Sequence, residues 1–327
     1  MNRRRLTLAG PAAAWASLLP RALRAQPSPR RIALLGSGHA ASSTVLIDGF
    51  VIGLRDQGLV VGRDVVLDVR WAEGHYERFA PQVAELLTLH PSVIMATTIT
   101  SARAAQAATR TVPIVMVSMN DPVGAGLVTS LPRPGGNITG IANMAEDLTP
   151  KVVELMRTLL PRAKTALVLL NRGNSSNVTL FERTVVVARA AGLEAQAFDF
   201  AGEEQLGSLD AALQRARPDA LMVLPDSSLL DQRAPISALA LRHRVPLISQ
   251  FPEYTHAGAL LGYGPSRVAL WRRSAYYVKK LLDGARPADL PVEQPTRVEL
   301  SVNMLTAKAL GLVLPPALLL RADEVIE

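Results

Sequence analysis

From residue 31 onward, short β-branched and aliphatic runs alternate with longer segments in which apolar residues recur every three or four positions. That alternation predicts parallel strands joined by crossover helices. Strands are expected at 32–36, 65–71, 93–97, 113–117 and 137–141, with helices near 42–57, 76–89 and 100–108. After Thr149-Pro150, which reads as a helix start, the rhythm begins again. It predicts strands at 165–170, 194–198, 220–224 and 246–249, with helices near 177–191, 203–216 and 229–242. A strand at 259–262, an amphipathic helix at 266–283 and a final strand and helix at 298–302 and 304–310 complete the pattern. The expected fold class is therefore α/β, built as two doubly wound parallel-sheet lobes. Trp271 falls on the apolar stripe of the 266–283 helix and reads as core.

The chain has 327 residues and is 49% hydrophobic, enough for a core in each of two lobes. Its first 25 residues follow a different rule. Arg3, Arg4 and Arg5 precede an acid-free apolar stretch and a small residue at Ala25, the layout of a secretory signal. That stretch is shorter than the roughly 20 residues of a spanning helix. Paired arginines before apolar residues also fit a twin-arginine route, and an Arg-rich ordinary signal fits as well. Leu23 is bulky for the position before the expected cut at Ala25.

Charge changes its meaning once this segment is set aside. Arg3, Arg4, Arg5, Arg21 and Arg24 account for five of the seven net positive charges, leaving +2 on the rest of the chain. No basic block interleaved with aromatics remains, so nucleic acid is not expected as a partner. The absence of cysteine excludes disulfides, thiolate metal sites, a Cys nucleophile and a lipidated anchor. The expected location is the periplasm.

In open parallel sheets ligands bind beyond the carboxyl ends of the strands. Those positions are polar here: Ser37 and His39, Thr97 and Thr98, Asn120 and Asp121, Asn171 to Asn177, Asp226 to Ser228, and Gln250 to Glu253. Thr98, Thr100, Ser175, Asn177 and Ser227 equally suit helix caps. Thr98 is the candidate for an anionic oxygen at a helix start. Asp121, stiffened by Pro122, either points its carboxylate into the crevice or caps a helix beginning at Val123. From the second lobe Asn171, Asp226, Gln250 and Phe251 would face it, with Tyr263 near the hinge. Phe251 and Tyr263 suit stacking on a flat ligand or core packing.

The segment Asn120-Asp-Pro-Val-Gly-Ala-Gly-Leu-Val-Thr-Ser-Leu-Pro-Arg-Pro-Gly-Gly-Asn-Ile-Thr-Gly140 resembles the signature of ABC-importer substrate-binding proteins of the tryptophan- and tyrosine-binding type. Arg70-Trp-Ala-Glu-Gly74, Ala288-Asp-Leu-Pro-Val-Glu-Gln-Pro-Thr296 and Thr306-Ala-Lys-Ala-Leu-Gly311 are similar family-like blocks. The resemblance implies a type I periplasmic-binding fold with a multi-strand hinge, formed by an N-terminal lobe at 30–140 plus 265–286 and a C-terminal lobe at 141–264 plus 296–327. Gly135-Gly136 would serve the chain where it leaves the first lobe near Gly140. The resemblance further implies a monomer without cofactor. Its partners would be a small-molecule ligand, such as an aromatic amino acid or related carboxylate, and an ABC permease in the inner membrane. The loop Asn171-Arg-Gly-Asn-Ser-Ser lacks the Pro common after such an Asn.

Two other classes remain open. Gly36-Ser-Gly38-His-Ala-Ala41 fits the GxGxxA fingerprint of a nucleotide-dependent enzyme, but the second strand ends in Arg70-Trp71 where an acid is needed. Five scattered histidines and the lack of a GxSxG elbow give no catalytic constellation. A ligand sensor for a membrane receptor would use the same fold.

Overall fold

The computed structural model describes residues 28–327. The expected export segment and its cleavage at Ala25 lie outside the described residues. The first half of the chain forms β1 (Arg30–Gly36), α1 (Thr44–Asp56), β2 (Val65–Trp71), α2 (Phe79–Thr88), β3 (Val93–Ala96), α3 (Ile99–Ala108), β4 (Ile114–Met119) and β5 (Ile138–Ala142). These strands make one parallel sheet in the order β2-β1-β3-β4-β5. The near-continuous apolar runs of β1, β3, β4 and β5 are buried by helices on both faces, as parallel sheets require, while the edge strand β2 is mostly half-buried.

The second lobe opens with α4 (Ala145–Leu159), β6 (Thr165–Leu170), α5 (Ser175–Ala190), β7 (Glu194–Asp199), α6 (Leu206–Ala216) and β8 (Ala220–Val223). It continues through α7 (Ser227–Asp231), α8 (Arg233–Arg242), β9 (Leu247–Ser249), α9 (Glu253–His256) and β10 (Leu261–Gly264). After α10 (Arg267–Leu282), the chain adds β11 (Glu299–Asn303), α11 (Met304–Leu310), α12 (Pro316–Leu319) and β12 (Glu324–Ile326). The second sheet runs β12-β11-β10-β9-β8-β6-β7 and repeats the strand order of the first, extended by β11, antiparallel to β10, and by β12.

Helix α10 returns to the first lobe. Leu270, Trp271, Ala275 and Val278 share a core with Leu46, Phe50 and Leu54 of α1. The helices touch at Gly53, where a Cβ would lie 2.2 Å from the Arg272 carbonyl oxygen, so only glycine permits this approach. Three stretches of chain therefore cross between lobes: after β5, after β10, and through residues 283–298. The third lies along β5, with Ala142 N–H donating to the Glu293 carbonyl at 2.9 Å and Glu293 N–H to that of Gly140 at 3.0 Å. Arg273 of α10 clamps it by a bidentate pair to Glu293 at 2.8 and 2.7 Å.

Three local expectations need correction. Helix α4 starts at Ala145, not at Thr149-Pro150, because Asn143 Oδ1 accepts the Ala145 N–H at 3.0 Å and begins the helix a turn earlier. Pro150 lies inside it. Gly135 and Gly136 belong to the turn before β5, and the chain leaves the lobe only after Ala142. No helix begins at Val123, where the chain makes turns instead.

Candidate functional site

In each sheet the strand order reverses direction between the first and third strands of the lobe, β1 and β3 in one and β6 and β8 in the other. That switch point is where an open α/β sheet offers a crevice. The two switch points face each other across the lobe interface. The space between them, about 40 Å³, is lined by Thr97, Thr98, Asn120 and Trp271 on one side and by Asn174, Asp226 and Phe251 on the other, with Arg267 entering at the crossing after β10.

The lobes are in direct contact here. Tyr76, from the turn preceding α2, donates its hydroxyl to Asp226 Oδ2 at 2.7 Å. Burial, reinforced by the Asp226 charge, pushes that phenol well above its ordinary pKa, so it stays a donor. Asp226 also accepts from Asn174 Nδ2 at 2.8 Å, Ser228 N–H at 2.9 Å and Ser228 Oγ at 2.5 Å. Its four acceptor positions are thereby filled. Nearby, Asn120 Nδ2 reaches Ser176 Oγ at 3.4 Å, and Asp231 Oδ2 accepts the His39 N–H at 2.9 Å.

Asn120 is held by local strain. Ser118 and Asp121 on either side of it have φ of 56° and 26°, in the left-handed region that non-glycine residues rarely occupy. The register of β4 against β5 slips between Met116 and Met119. This bulge aims Asn120 at the crevice, while Asn143 donates to both its Oδ1 and the Ser118 carbonyl.

The expected site residues divide by placement. Thr98, Asp226 and Phe251 line the crevice. Thr98 also caps α3 in a reciprocal box with Ser101. Ser37 is buried beside the Tyr76 hydroxyl, and its Oγ has no hydrogen-bond partner among the described residues. Asn171 lies one layer behind: its Nδ2 donates to Ser228 Oγ at 3.0 Å and its Oδ1 accepts the Gly173 N–H at 2.9 Å. Gln250 is turned toward α4, donating to Thr149 Oγ1 at 3.2 Å. Tyr263, half-buried in β10, packs against the core of the second lobe. Asp121 departs from the expected orientation. Its exposed carboxylate folds back to accept the Gly124 N–H at 2.8 Å, and it borders a separate depression with Glu146 and Arg183.

Among the lining residues that were not expected, two stand out. Trp271 belongs to the first-lobe core as its periodicity implied, but it also borders the crevice. Arg267, the first residue of α10, is 9% exposed and sits with Cζ 4.9 Å from the Phe251 ring centroid. Burial pulls its pKa below the ordinary arginine value, opposed chiefly by the charges of Glu253 and Asp231. In the sequence its position just past a strand end was the available signal. The loop that fits the GxGxxA pattern is used differently, since Gly38 and His39 rest against Asp231 of the other lobe.

Comparison with known proteins agrees with this architecture. The family described as ABC transporter substrate binding protein matches residues 37–326. A tyrosine-binding protein of Clostridioides difficile is 26% identical over 264 residues, covering 81% of this chain and 76% of that protein. An ABC domain from Streptococcus pneumonia, solved in complex with L-Trp, superposes with a TM-score of 0.82 at 25% identity, over 91% of this chain and 100% of the other. A ligand-free, open substrate binding protein with adhesive properties from Clostridium difficile covers 91% of this chain and 99% of its own at 24% identity, with a TM-score of 0.64.

Proposed function

The chain belongs to the ABC transporter substrate-binding protein family, and from that premise we propose that it is the exported solute-binding component of an ABC importer. It takes a small solute, an aromatic amino acid or related carboxylate, between its lobes and delivers it to a permease in the inner membrane. The observation that carries this reading is the crevice at the paired switch points, lined from both lobes and spanned by the Tyr76 to Asp226 bond. Contacts that exist only when the lobes meet are what a solute needs in order to shift an open–closed equilibrium. On this reading Thr98 and Phe251 meet the solute, Asp226 holds the lobes together beside it with its oxygens committed to Tyr76, Asn174 and Ser228, and Ser37 and Asn171 support them from behind. The protein does no chemistry on what it binds. Residues 1–25 direct it to the periplasm, where it works as a monomer.

The reading is tested by titrating the purified protein with aromatic amino acids, aromatic carboxylates and nucleobases in a thermal-shift format, since a solute that binds only the folded state raises the melting temperature. A hit among the first two groups, recovered chemically unchanged and accompanied by compaction in small-angle scattering, is expected. Turnover of the solute, or stabilisation by nucleobases alone, would overturn it.

A further inference from the structure

A guanidinium withdrawn from water as far as that of Arg267 normally faces a carboxylate or a fan of carbonyls. Among the described residues Arg267 has no salt bridge, and its neighbour is the Phe251 ring. Glu253, Asp231 and Asp226 act on it only as charges at a distance, and Arg233 opposes them. Asp226 lines the same crevice, but its oxygens are committed to Tyr76, Asn174 and Ser228. The crevice thus contains a planar cation set over an aromatic ring, with no hydrogen bond from its guanidinium and no protein anion bonded to it among the described residues. A guanidinium in that state matches a carboxylate by two parallel N–H to oxygen bonds. Phe251 and Trp271 line the same crevice from opposite sides and offer apolar area to whatever carries the carboxylate.

We infer that Arg267, held against Phe251, is the carboxylate-binding residue of the crevice, and that it selects solutes in which a carboxylate is joined to a flat apolar group. This rests on the crevice being the solute site. It adds that the acid group, not the aromatic body alone, is what admits a solute.

Isothermal titration with three probes separates the two readings. L-Tryptophan carries both charges, indolepropionate keeps the carboxylate and lacks the ammonium, and tryptamine keeps the ammonium and lacks the carboxylate. We expect the first two to bind and tryptamine to bind at least about tenfold more weakly. Arg267→Gln should weaken L-tryptophan by about 10–100-fold and leave tryptamine unaffected. Should Arg267→Gln not fold, Arg267→Lys keeps the charge without the planar fork and should still lose about tenfold on L-tryptophan. Equal L-tryptophan affinity in a folded Arg267 variant, or tryptamine bound as tightly as L-tryptophan, overturns the carboxylate assignment and leaves the crevice reading standing. If none of the three binds the unaltered protein, the aromatic-solute reading falls and takes this one with it.

Discussion

Tyr76 in the first lobe and Asp226 in the second are joined by a buried hydrogen bond of 2.7 Å that exists only while the lobes are together. The phenol ring is fixed independently, stacked on Phe79 with centroids 5.7 Å apart. Tyr76→Phe therefore removes the latch and leaves the packing. A hydrogen bond to a charged group contributes about 1.5–3 kcal/mol, so the variant should favour the open form by about that amount. Small-angle scattering without added solute should show a larger radius of gyration, and an unchanged profile would mean that the bond does not hold the lobes.

Asp226 also organises its own lobe. Both carboxylate oxygens face donors, Tyr76 and Asn174 on one side and the Ser228 N–H and hydroxyl on the other. In Asp226→Asn, either amide orientation sets an N–H₂ group against a donor. The expected cost is about 1–3 kcal/mol, read as a lower urea midpoint with an unchanged slope.

The fold was legible because the central strands of each sheet are apolar runs buried on both faces, and they recur in a regular rhythm with the helices between them. Strands β2 and β6 fall at 65–71 and 165–170 as the pattern predicts. The strand-end rule also picked loops that border the crevice, yet it could not choose within them. Asp121 and its neighbour Asn120 look alike as candidates in sequence, and a register slip in β4 decides which one faces the crevice. Arg267 was hidden for a different reason: its place in the crevice depends on where the chain re-enters the first lobe, a long-range property that helical periodicity does not report. Trp271 shows the same limit, since one stripe on α10 serves both core and crevice.

That re-entry is itself open to test at Gly53. Alanine in a helix interior is ordinarily favoured over glycine by about 0.8–1.0 kcal/mol. Here the added Cβ would meet the Arg272 carbonyl oxygen at 2.2 Å and the Ala275 Cβ at 2.9 Å, so α1 and α10 must separate. Overpacking of this kind costs about 1–3 kcal/mol. Gly53→Ala is expected to lower stability on balance in a urea titration, and a more stable variant would show that α10 does not pack so closely.

Glu146 gives the interface a dependence on pH. It lies near the start of α4, half-buried, and burial raises its pKa above the ordinary glutamate value. The charges of Asp121 from the first lobe and of Asp147 add to the rise, and Arg183 opposes it. A carboxyl with a raised folded pKa binds its proton more tightly in the native state than in the unfolded chain. Between the unfolded value, about 4.3, and the raised folded one, stability must then fall as pH increases. Glu146→Gln fixes the uncharged form. Its melting temperature should exceed that of the unaltered protein at neutral pH, and the difference should vanish as pH falls below the unfolded value. A gain that persisted at the acid end would assign the effect to packing and not to the proton.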